Sequence, residues 1–395
     1  MEYKISDRLA ALKPSAIREI LKNSGGNTIA FSAGNPSPLS FPVEAIREIS
    51  ADIFANYSTA ALQYSVTEGY APLISDVEAR LRAKFRIDTS ANQVIITSGG
   101  QQGIELCCKA LTNEGDAVIC ENPSFIGALN AFRSMGTRTI GVPMEDDGIS
   151  VEALEEVLAH EPRARLLYLI PTFQNPSGIT TSLEKRKKIY DIALRHGLMI
   201  LEDNPYGELR FSGEDIPTLK SIDTEGIVVY CSSFSKILSA GIRLGYVCGP
   251  VPVVQKMVVA KQCEDVHTNI FFQMLCHRFI NEYDFDAHIA GICKLYGEKC
   301  ALMLRTLDEN MPKSVTYTRP DGGLFIWCTL PDSVDMTAYI KRASALGVSA
   351  VPGVAFNCDT EVPSQSFRIT YATPSDEDIV RGVKILADAA REFIG

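Results

Sequence analysis

Residues 227–236 read IVVYCSSFSK, a short apolar run that ends in three serines and a lysine. Such a run predicts a buried strand of a parallel sheet, and its polar end marks the point where the strand gives way to a loop. The runs alternate with longer helical patterns, which predicts an α/β fold with a mostly parallel central sheet covered by helices. Four further runs have the same form: Val94–Thr97, Ala117–Cys120, Leu166–Ile170 and Leu198–Leu201.

The 395-residue chain is long enough for one large domain and a smaller one. After Pro312 strand-like pieces mix with amphipathic helices, which predicts a smaller α+β domain. The N-terminal part carries one predicted helix, Ser15–Lys22, in chain too short to fold alone. We therefore expect an N-terminal segment at 1–40 that packs with the small domain, a large domain at 41–285 and the small domain at 286–395.

Composition excludes several classes of partner. The formal charge of −10 disfavours binding to nucleic acid, and the densest basic run, Lys185–Lys188, is interpreted as an exposed helix face. Eleven scattered cysteines without a Cys-x-x-Cys pair indicate buried thiols rather than a disulfide framework. The N-terminus has no signal-peptide core, and no apolar run approaches the roughly 18 residues of a membrane helix. We expect a cytoplasmic protein that contacts neither nucleic acid nor membrane.

The common catalytic motifs are absent. The sequence has no Gly-Lys pair and hence no P-loop, no His-Glu-x-x-His and no Gly-x-Ser-x-Gly. Its five histidines fall in no metal-ligand spacing. We therefore expect no metal site.

The predicted strands end in side chains that could form one site, because ligands of open α/β sheets bind at the carboxyl ends of the strands. Residues 98–103, SGGQQG, join a strand to a helix and form either an anion site or a structural turn. Asp203 is either a functional carboxylate or a turn former, and Asn175 either a binding residue or part of an Asn-Pro turn. These pairs of readings stay open on the residues alone.

Lys236 gives the sharper signal. It follows a strand through several serines and precedes Arg243, which lies between glycines, by seven residues. A lysine at a strand end beside hydroxyls and an arginine suits a Schiff base next to a phosphate. A lysine that merely extends to solvent at a strand end is the alternative.

Taken in order, these motifs resemble those of the class I/II aminotransferases, fold type I enzymes that use pyridoxal 5'-phosphate (PLP). The resemblance runs nearly end to end and is nearest to the 2-aminoadipate/kynurenine aminotransferase group. It implies that residues 1–40 lie over the active site and that the large domain binds PLP. The segments that carry it are Ser15–Lys22, Leu62–Tyr70, Phe173–Gly178, Ser233–Arg243 and Phe367–Tyr371.

The resemblance implies a role for each matched residue. Lys236 would bind the cofactor aldehyde and move the substrate Cα proton, while Asp203 would hold the pyridine nitrogen protonated. Asn175 and Tyr206 would bind the phenolic oxygen, and Tyr206 is counted with the catalytic residues. Phe125, where tyrosine is more usual, would stack on the ring. The phosphate would be bound by Gly99, Gly100 (often serine in the family), Gln101, Ser233, Ser235 and Arg243, with Tyr64 reaching across from the second subunit of a homodimer.

Substrate contacts follow in the same way. Arg368 would bind the α-carboxylate through two parallel hydrogen bonds, with Gly34 and Asn175 beside it. Arg18 either meets an acidic substrate side chain or is an ordinary helix-face arginine. The implied activity is ping-pong transfer of an amino group from an acidic, aromatic or kynurenine-like amino acid to a 2-oxo acid such as 2-oxoglutarate.

Two alternatives remain on the sequence. One is another PLP reaction on the same fold, such as β-elimination or racemisation. The other is an aminotransferase-like sensor domain of a transcription regulator, which the start of the pattern near residue 15 and the charge of −10 disfavour.

Overall fold

The computed structural model describes residues 3–10, 12 and 28–394. Its core is an eight-stranded sheet in which the inner strands are buried on both faces, as expected for apolar runs without polar alternation. The strands of this sheet are β2 (Asn92–Thr97), β3 (Ala117–Asn122), β4 (Arg138–Glu145), β5 (Gly148–Ile149), β6 (Ala164–Leu169), β7 (Met199–Asp203), β8 (Val228–Ser233) and β9 (Gly245–Pro250). Across the sheet they lie in the order β2-β9-β8-β7-β6-β3-β4-β5.

Five neighbouring strands, β4, β3, β6, β7 and β8, run parallel. Strand β9 is antiparallel to both of its neighbours, β8 and β2, and β5 is antiparallel to β4. The mostly parallel sheet predicted from the sequence is thus present, with antiparallel pairing confined to β9 and β5.

Two smaller sheets complete the strand inventory of the described residues. A two-stranded parallel sheet joins β1 (Ile29–Ala30) to β12 (Val348–Ser349), so chain before residue 40 pairs with chain beyond residue 340. A four-stranded antiparallel sheet contains β10 (Thr316–Tyr317), β11 (Phe325–Thr329), β13 (Val351–Pro352) and β14 (Ser366–Thr370). Its strands lie in the order β10-β11-β14-β13.

Most helices bury an apolar face against these sheets or against each other. Several begin at a side-chain cap: Ser150, Ser182, Asn269, Asp284 and Asp335 each accept from a backbone N–H in the first turn that follows. The described helices are α1 (Asp7–Ala10), α2 (Val43–Asn56), α3 (Ser58–Leu62), α4 (Ala71–Phe85), α5 (Gly100–Leu111), α6 (Ile126–Ser134), α7 (Val151–His160), α8 (Leu183–Arg195), α9 (Val251–Gln262), α10 (Ile270–Glu282), α11 (Phe285–Asn310), α12 (Met336–Ala345) and α13 (Asp376–Ile394).

The interpretation of the basic run on α8 is wrong for two of its residues. Lys185 is buried between Glu145 and Asp147, with both N–O distances at 2.5 Å. Arg186 is fully buried and donates to the carbonyl oxygens of Thr181, Pro217 and Pro171. Loop carbonyls that the sequence does not reveal as neighbours satisfy this buried charge.

All eleven cysteines are free, and most are buried, as the sequence predicts. The predicted helix Ser15–Lys22, including Arg18, lies outside the described residues. Within the described part of the chain, no helix combines the length and the apolar character needed to cross a membrane.

Candidate active site

A cavity of about 320 Å³ opens where the strand ends converge at the carboxyl edge of the parallel strands. Asp203 ends β7, Ser233 ends β8, and Gly100 begins the helix that follows β2. Arg368 enters from β14, and Gly34 from the segment after β1. The cavity lining includes the predicted residues Gly34, Gly100, Gln101, Phe125, Asn175, Asp203, Tyr206, Ser233, Ser235, Lys236, Arg243 and Arg368.

Lys236 lies in a single 3₁₀ turn, Phe234–Lys236, directly after β8. The Ser233 hydroxyl accepts from the backbone N–H of Ser235 at 3.0 Å and so caps this turn. The Lys236 amine donates to the carbonyl oxygen of Gly34 at 2.8 Å. Burial, together with the positive charges of Arg368 and Arg243, lowers the pKa of Lys236 to about 8. Far more of this lysine is therefore the neutral, nucleophilic amine near neutral pH than of an exposed lysine.

Asp203 is the buried carboxylate of the site. Its Oδ2 accepts from the Tyr168 hydroxyl at 2.7 Å. Burial raises the pKa of Asp203 to about 7, and the hydrogen bond from Tyr168 acts in the opposite direction. A cation that binds in the cavity beside Asp203 would stabilise the charged form of this buried carboxylate.

Gly99 and Gly100 form the turn between β2 and α5. Gly99 has φ +84° and ψ 168°, a conformation that other residues essentially never adopt, and a Cβ there would overlap the Arg243 guanidinium. Arg243 in turn lies 3.5 Å from the Ser235 hydroxyl, which is 2.8 Å from that of Ser233. The α5 N-terminus, two hydroxyls and a guanidinium thus converge as an anion-binding site.

Arg368 is fully buried on β14 and held in place from two sides. Its Nη1 donates to Asn175 Oδ1 and its Nη2 to the carbonyl oxygen of Ser32, both at 2.9 Å. The guanidinium carbon lies 4.1 Å from the ring centre of Phe325 and 5.0 Å from that of Phe356. The Arg368 Nε is buried and has no hydrogen-bond partner among the described residues. Burial lowers the pKa of Arg368 to about 10, which leaves it cationic at neutral pH.

Tyr206 lies at the same end of the cavity. Burial raises the pKa of its hydroxyl, and the neighbouring Asn175 side chain opposes this rise. Its ring meets that of Phe325 edge-on, with the ring centres 6.0 Å apart. The Asn175 amide thus accepts from Arg368 and acts on the pKa of the Tyr206 phenol, which brings the three side chains together at this end of the cavity.

The remaining predicted residues lie elsewhere. Gly99 supports the cavity from behind Arg243 without lining it. Tyr64 is 82% exposed, and its ring lies edge-on to that of His267. Arg18 is outside the described residues.

Sequence reasoning missed several lining residues. Asn35 and Pro205 adjoin predicted site residues, and Ile170 ends a predicted strand, so proximity in sequence could have found them. Ile104 lies one helical turn beyond Gly100, a spacing that also places it towards the cavity. Phe325 comes from a distant strand, and nothing in its local sequence marks it.

The charges of the lining favour anions. Lys236, Arg243 and Arg368 oppose the single carboxylate of Asp203, although the chain as a whole carries −10. A concave site with an excess of positive charge raises the local concentration of carboxylates and phosphates. The cavity can therefore hold an anionic group at each end, near Arg243 and near Arg368.

Known proteins resemble this chain over its whole length. A family model described as aminotransferase class I and II matches residues 26–386. An aromatic-amino-acid aminotransferase 1 from Thermococcus litoralis is 36% identical over 99% of this chain and 95% of its own length. A 2-aminoadipate transaminase from Thermus thermophilus is 39% identical over 97% of this chain and 95% of its own. A crystal structure of Pyrococcus horikoshii kynurenine aminotransferase in complex with PMP superimposes with a TM-score of 0.95 at 36% identity and covers 99% of this chain and 98% of that one.

Proposed function

The chain belongs to the class I and II aminotransferases and is a PLP-dependent aminotransferase, and on this premise we propose that the cavity at Lys236 is its active site. The fold, cofactor and reaction class predicted from the sequence are confirmed. The sensor-domain and β-elimination alternatives are not favoured. One observation carries the assignment to this cavity: a lysine with a pKa of about 8, a buried carboxylate and a buried arginine face the same space.

The residues of the cavity fit PLP. The anion-binding site at Arg243 suits the phosphate, through the hydroxyls of Ser233 and Ser235 and backbone N–H groups at Gly100 and Gln101. Asp203 would bind the ring nitrogen, and Phe125 would lie against the ring face. When bound, the cofactor supplies an electron-poor ring that accepts the electron pair left at the substrate Cα.

Lys236 would hold the cofactor aldehyde and carry the proton. Its lowered pKa makes the Nζ a competent base near neutral pH, able to take the Cα proton and return it. The Gly34 carbonyl lies 2.8 Å from this Nζ and fixes the direction from which the amine acts. Tyr206 and Asn175 would bind the phenolic oxygen.

Arg368 would bind the α-carboxylate of both substrates. The unpartnered Nε shows that its donors are not all used within the protein. Because Asn175, Ser32 and two aromatic rings fix the guanidinium, a bound carboxylate would be held at a defined angle. One arginine serves the amino donor and the oxo acceptor, as a ping-pong reaction requires.

We propose acidic or aromatic and kynurenine-like L-amino acids as donors, with 2-oxoglutarate as an acceptor. The names of the relatives, an aromatic-amino-acid aminotransferase and a 2-aminoadipate transaminase, support this range. Arg18 is the candidate for contact with an acidic side chain. Arg18→Ala should then impair acidic donors selectively, and equal loss for all donors would remove this role.

The first experiment is an absorbance spectrum of the protein with PLP, recorded before and after a panel of amino acids is added. A yellow band that particular donors bleach, and that Lys236→Ala lacks, is the expected result. Substantial turnover by Lys236→Ala would contradict the proposed site. Release of pyruvate and ammonia from a β-substituted amino acid, without amino transfer, would instead indicate a lyase.

We propose that the enzyme is a cytoplasmic homodimer in which Tyr64 reaches the phosphate of the other subunit. The exposure of Tyr64, which does not line its own chain's cavity, supports this arrangement. All cysteines are free, which suits a reducing compartment. Mixing inactive Tyr64→Ala and Lys236→Ala subunits should restore activity, because one of the two sites in the hybrid then has both residues intact. No recovery in a demonstrated hybrid would exclude a contribution of Tyr64 to the site of the other subunit.

We also propose the division 1–40, 41–285 and 286–395. The eight-stranded sheet lies wholly within the second range, and the four-stranded sheet within the third. Limited proteolysis should cut first near these boundaries rather than within either sheet.

A further inference from the structure

Tyr168 lies on β6, beside Asp203 on β7, and does not line the cavity. Its side chain is fully buried, and its ring meets Phe132 edge-on with the ring centres 5.3 Å apart. Its hydroxyl donates to Asp203 Oδ2 at 2.7 Å, the one side-chain hydrogen bond to Asp203 among the described residues. Tyr168 therefore contacts the carboxylate from outside the cavity lining.

A phenol has a single proton to donate. Because the hydroxyl donates its one hydrogen bond to Oδ2, it holds that oxygen in place. Oδ1 is then the oxygen left to bind a group inside the cavity. We propose that Tyr168 is a positioning residue for the cofactor: its hydroxyl holds Asp203 as an oriented carboxylate whose second oxygen faces the cavity. This inference rests on the proposed role of Asp203.

The chemistry of the donor matters as much as its position. A lysine or arginine at 168 would neutralise Asp203 and weaken its attraction for a protonated ring nitrogen. A neutral phenol stabilises the carboxylate but leaves its charge unpaired, so the ligand supplies the compensating cation. Burial raises the pKa of Asp203 to about 7, and the Tyr168 bond opposes this rise.

The other titratable groups around the pair do not substitute for Tyr168. Glu121 has one carboxylate oxygen bonded to the Ile170 N–H and to Gln174, and the other has no partner among the described residues. Cys231 is paired with Asp203 in the β7–β8 register, and burial raises the pKa of its thiol. Burial likewise raises the pKa of the Tyr206 hydroxyl, and the Asn175 side chain opposes that rise.

The test is Tyr168→Phe, which keeps the ring against Phe132 and removes only the hydroxyl. Tyr339→Phe is the matched control, since Tyr339 is equally buried and its hydroxyl donates to the Leu386 carbonyl, away from the cavity. The measurement is the dissociation constant of PLP from the apoprotein between pH 5 and 9. Tyr168→Phe should weaken binding ~10- to 100-fold at neutral pH, and Tyr339→Phe should not.

The pH dependence separates positioning from packing. Affinity should fall as pH drops and Asp203 gains a proton. Because loss of the Tyr168 donor raises the Asp203 pKa, the midpoint of this fall should move to higher pH in Tyr168→Phe. In an Asp203→Asn background, Tyr168→Phe should add little, since its target carboxylate is gone.

Three outcomes would overturn the inference. Wild-type affinity and midpoint in Tyr168→Phe would show that the hydroxyl does not act on the site. An equal loss with and without Asp203 would show that it acts through packing alone. Wild-type binding by Asp203→Asn would remove the proposed role of Asp203 itself, whereas failure of Tyr168→Phe alone leaves that role in place.

Discussion

Replacement of Arg368 by lysine tests the proposed carboxylate contact most directly. Lysine keeps the positive charge but loses the planar pair of donors. The loss of one hydrogen bond to a carboxylate costs about 1.5–3 kcal/mol. Lysine also leaves either Asn175 Oδ1 or the Ser32 carbonyl without the donor that each has at 2.9 Å, at a cost of about 1–3 kcal/mol in folding stability that free and substrate-bound enzyme share. The lost carboxylate bond alone therefore predicts a fall in kcat/KM of roughly 10- to 200-fold.

The assay follows each half-reaction separately, by the change in cofactor absorbance after addition of donor or of acceptor. Both half-reactions should slow to a similar extent, because both substrates present the same carboxylate. Arg342→Lys is the matched control: Arg342 makes two hydrogen bonds to Glu392, at 2.7 and 2.8 Å, in an exposed pair. Its change should leave kcat/KM within about twofold of wild type. Activity of Arg368→Lys within about threefold of wild type, or a loss confined to one half-reaction, would refute the reasoning.

Three further changes test other parts of the site. Gly99→Ala should weaken PLP binding and lower stability more than Gly197→Ala does, because both glycines have positive φ but only the Cβ at 99 would overlap Arg243; equal effects on melting temperature and affinity would contradict this contact. Glu121→Gln should stabilise the protein at pH 8 but not at pH 4. The folded pKa of Glu121, about 7, exceeds its usual 4.5, so its stabilising contribution is present below 4.5 and lost as pH rises through 7; urea unfolding should show a difference on the order of 3 kcal/mol between the two ends. Reductive trapping of an aldehyde on Lys236 should rise with pH around 8, and Arg243→Gln should move that midpoint upward because it removes a positive charge; an unchanged midpoint would exclude the coupling.

The sequence predicts those parts of the site that local patterns determine. The rule that polar residues at the ends of parallel strands meet at one edge places Asp203, Ser233 and Gly100 together. Their functional reading, and that of Gly99 and Lys236, stayed open on the local residues and came from the family resemblance.

Other features depend on contacts between distant segments. Lys185 and Arg186 resemble part of an exposed helix face in sequence, yet both side chains are buried. Carboxylates from another segment bind Lys185, and loop carbonyls bind Arg186. Phe325 and Phe356 stack on Arg368 from a strand and a turn that local sequence does not connect to it. Tyr168 was predicted only as part of an apolar strand, because hydroxyl-to-carboxylate pairing across β6 and β7 requires the register between them.

The arrangement of fixed and free hydrogen-bonding groups explains how one cavity can serve two substrates. The groups proposed to bind the substrate carboxylate and the cofactor are held by neighbouring side chains: Arg368 by Asn175, Ser32 and two rings, and Asp203 by Tyr168. These neighbours satisfy only some of the hydrogen-bonding groups of the two anchors, Arg368 and Asp203. Among the described residues Arg368 Nε has no partner, and Asp203 lines the cavity. Burying such incompletely satisfied groups costs stability that binding of cofactor and carboxylate returns. Selectivity for the substrate side chain must therefore come from outside these anchors, since any change in them would affect donor and acceptor alike.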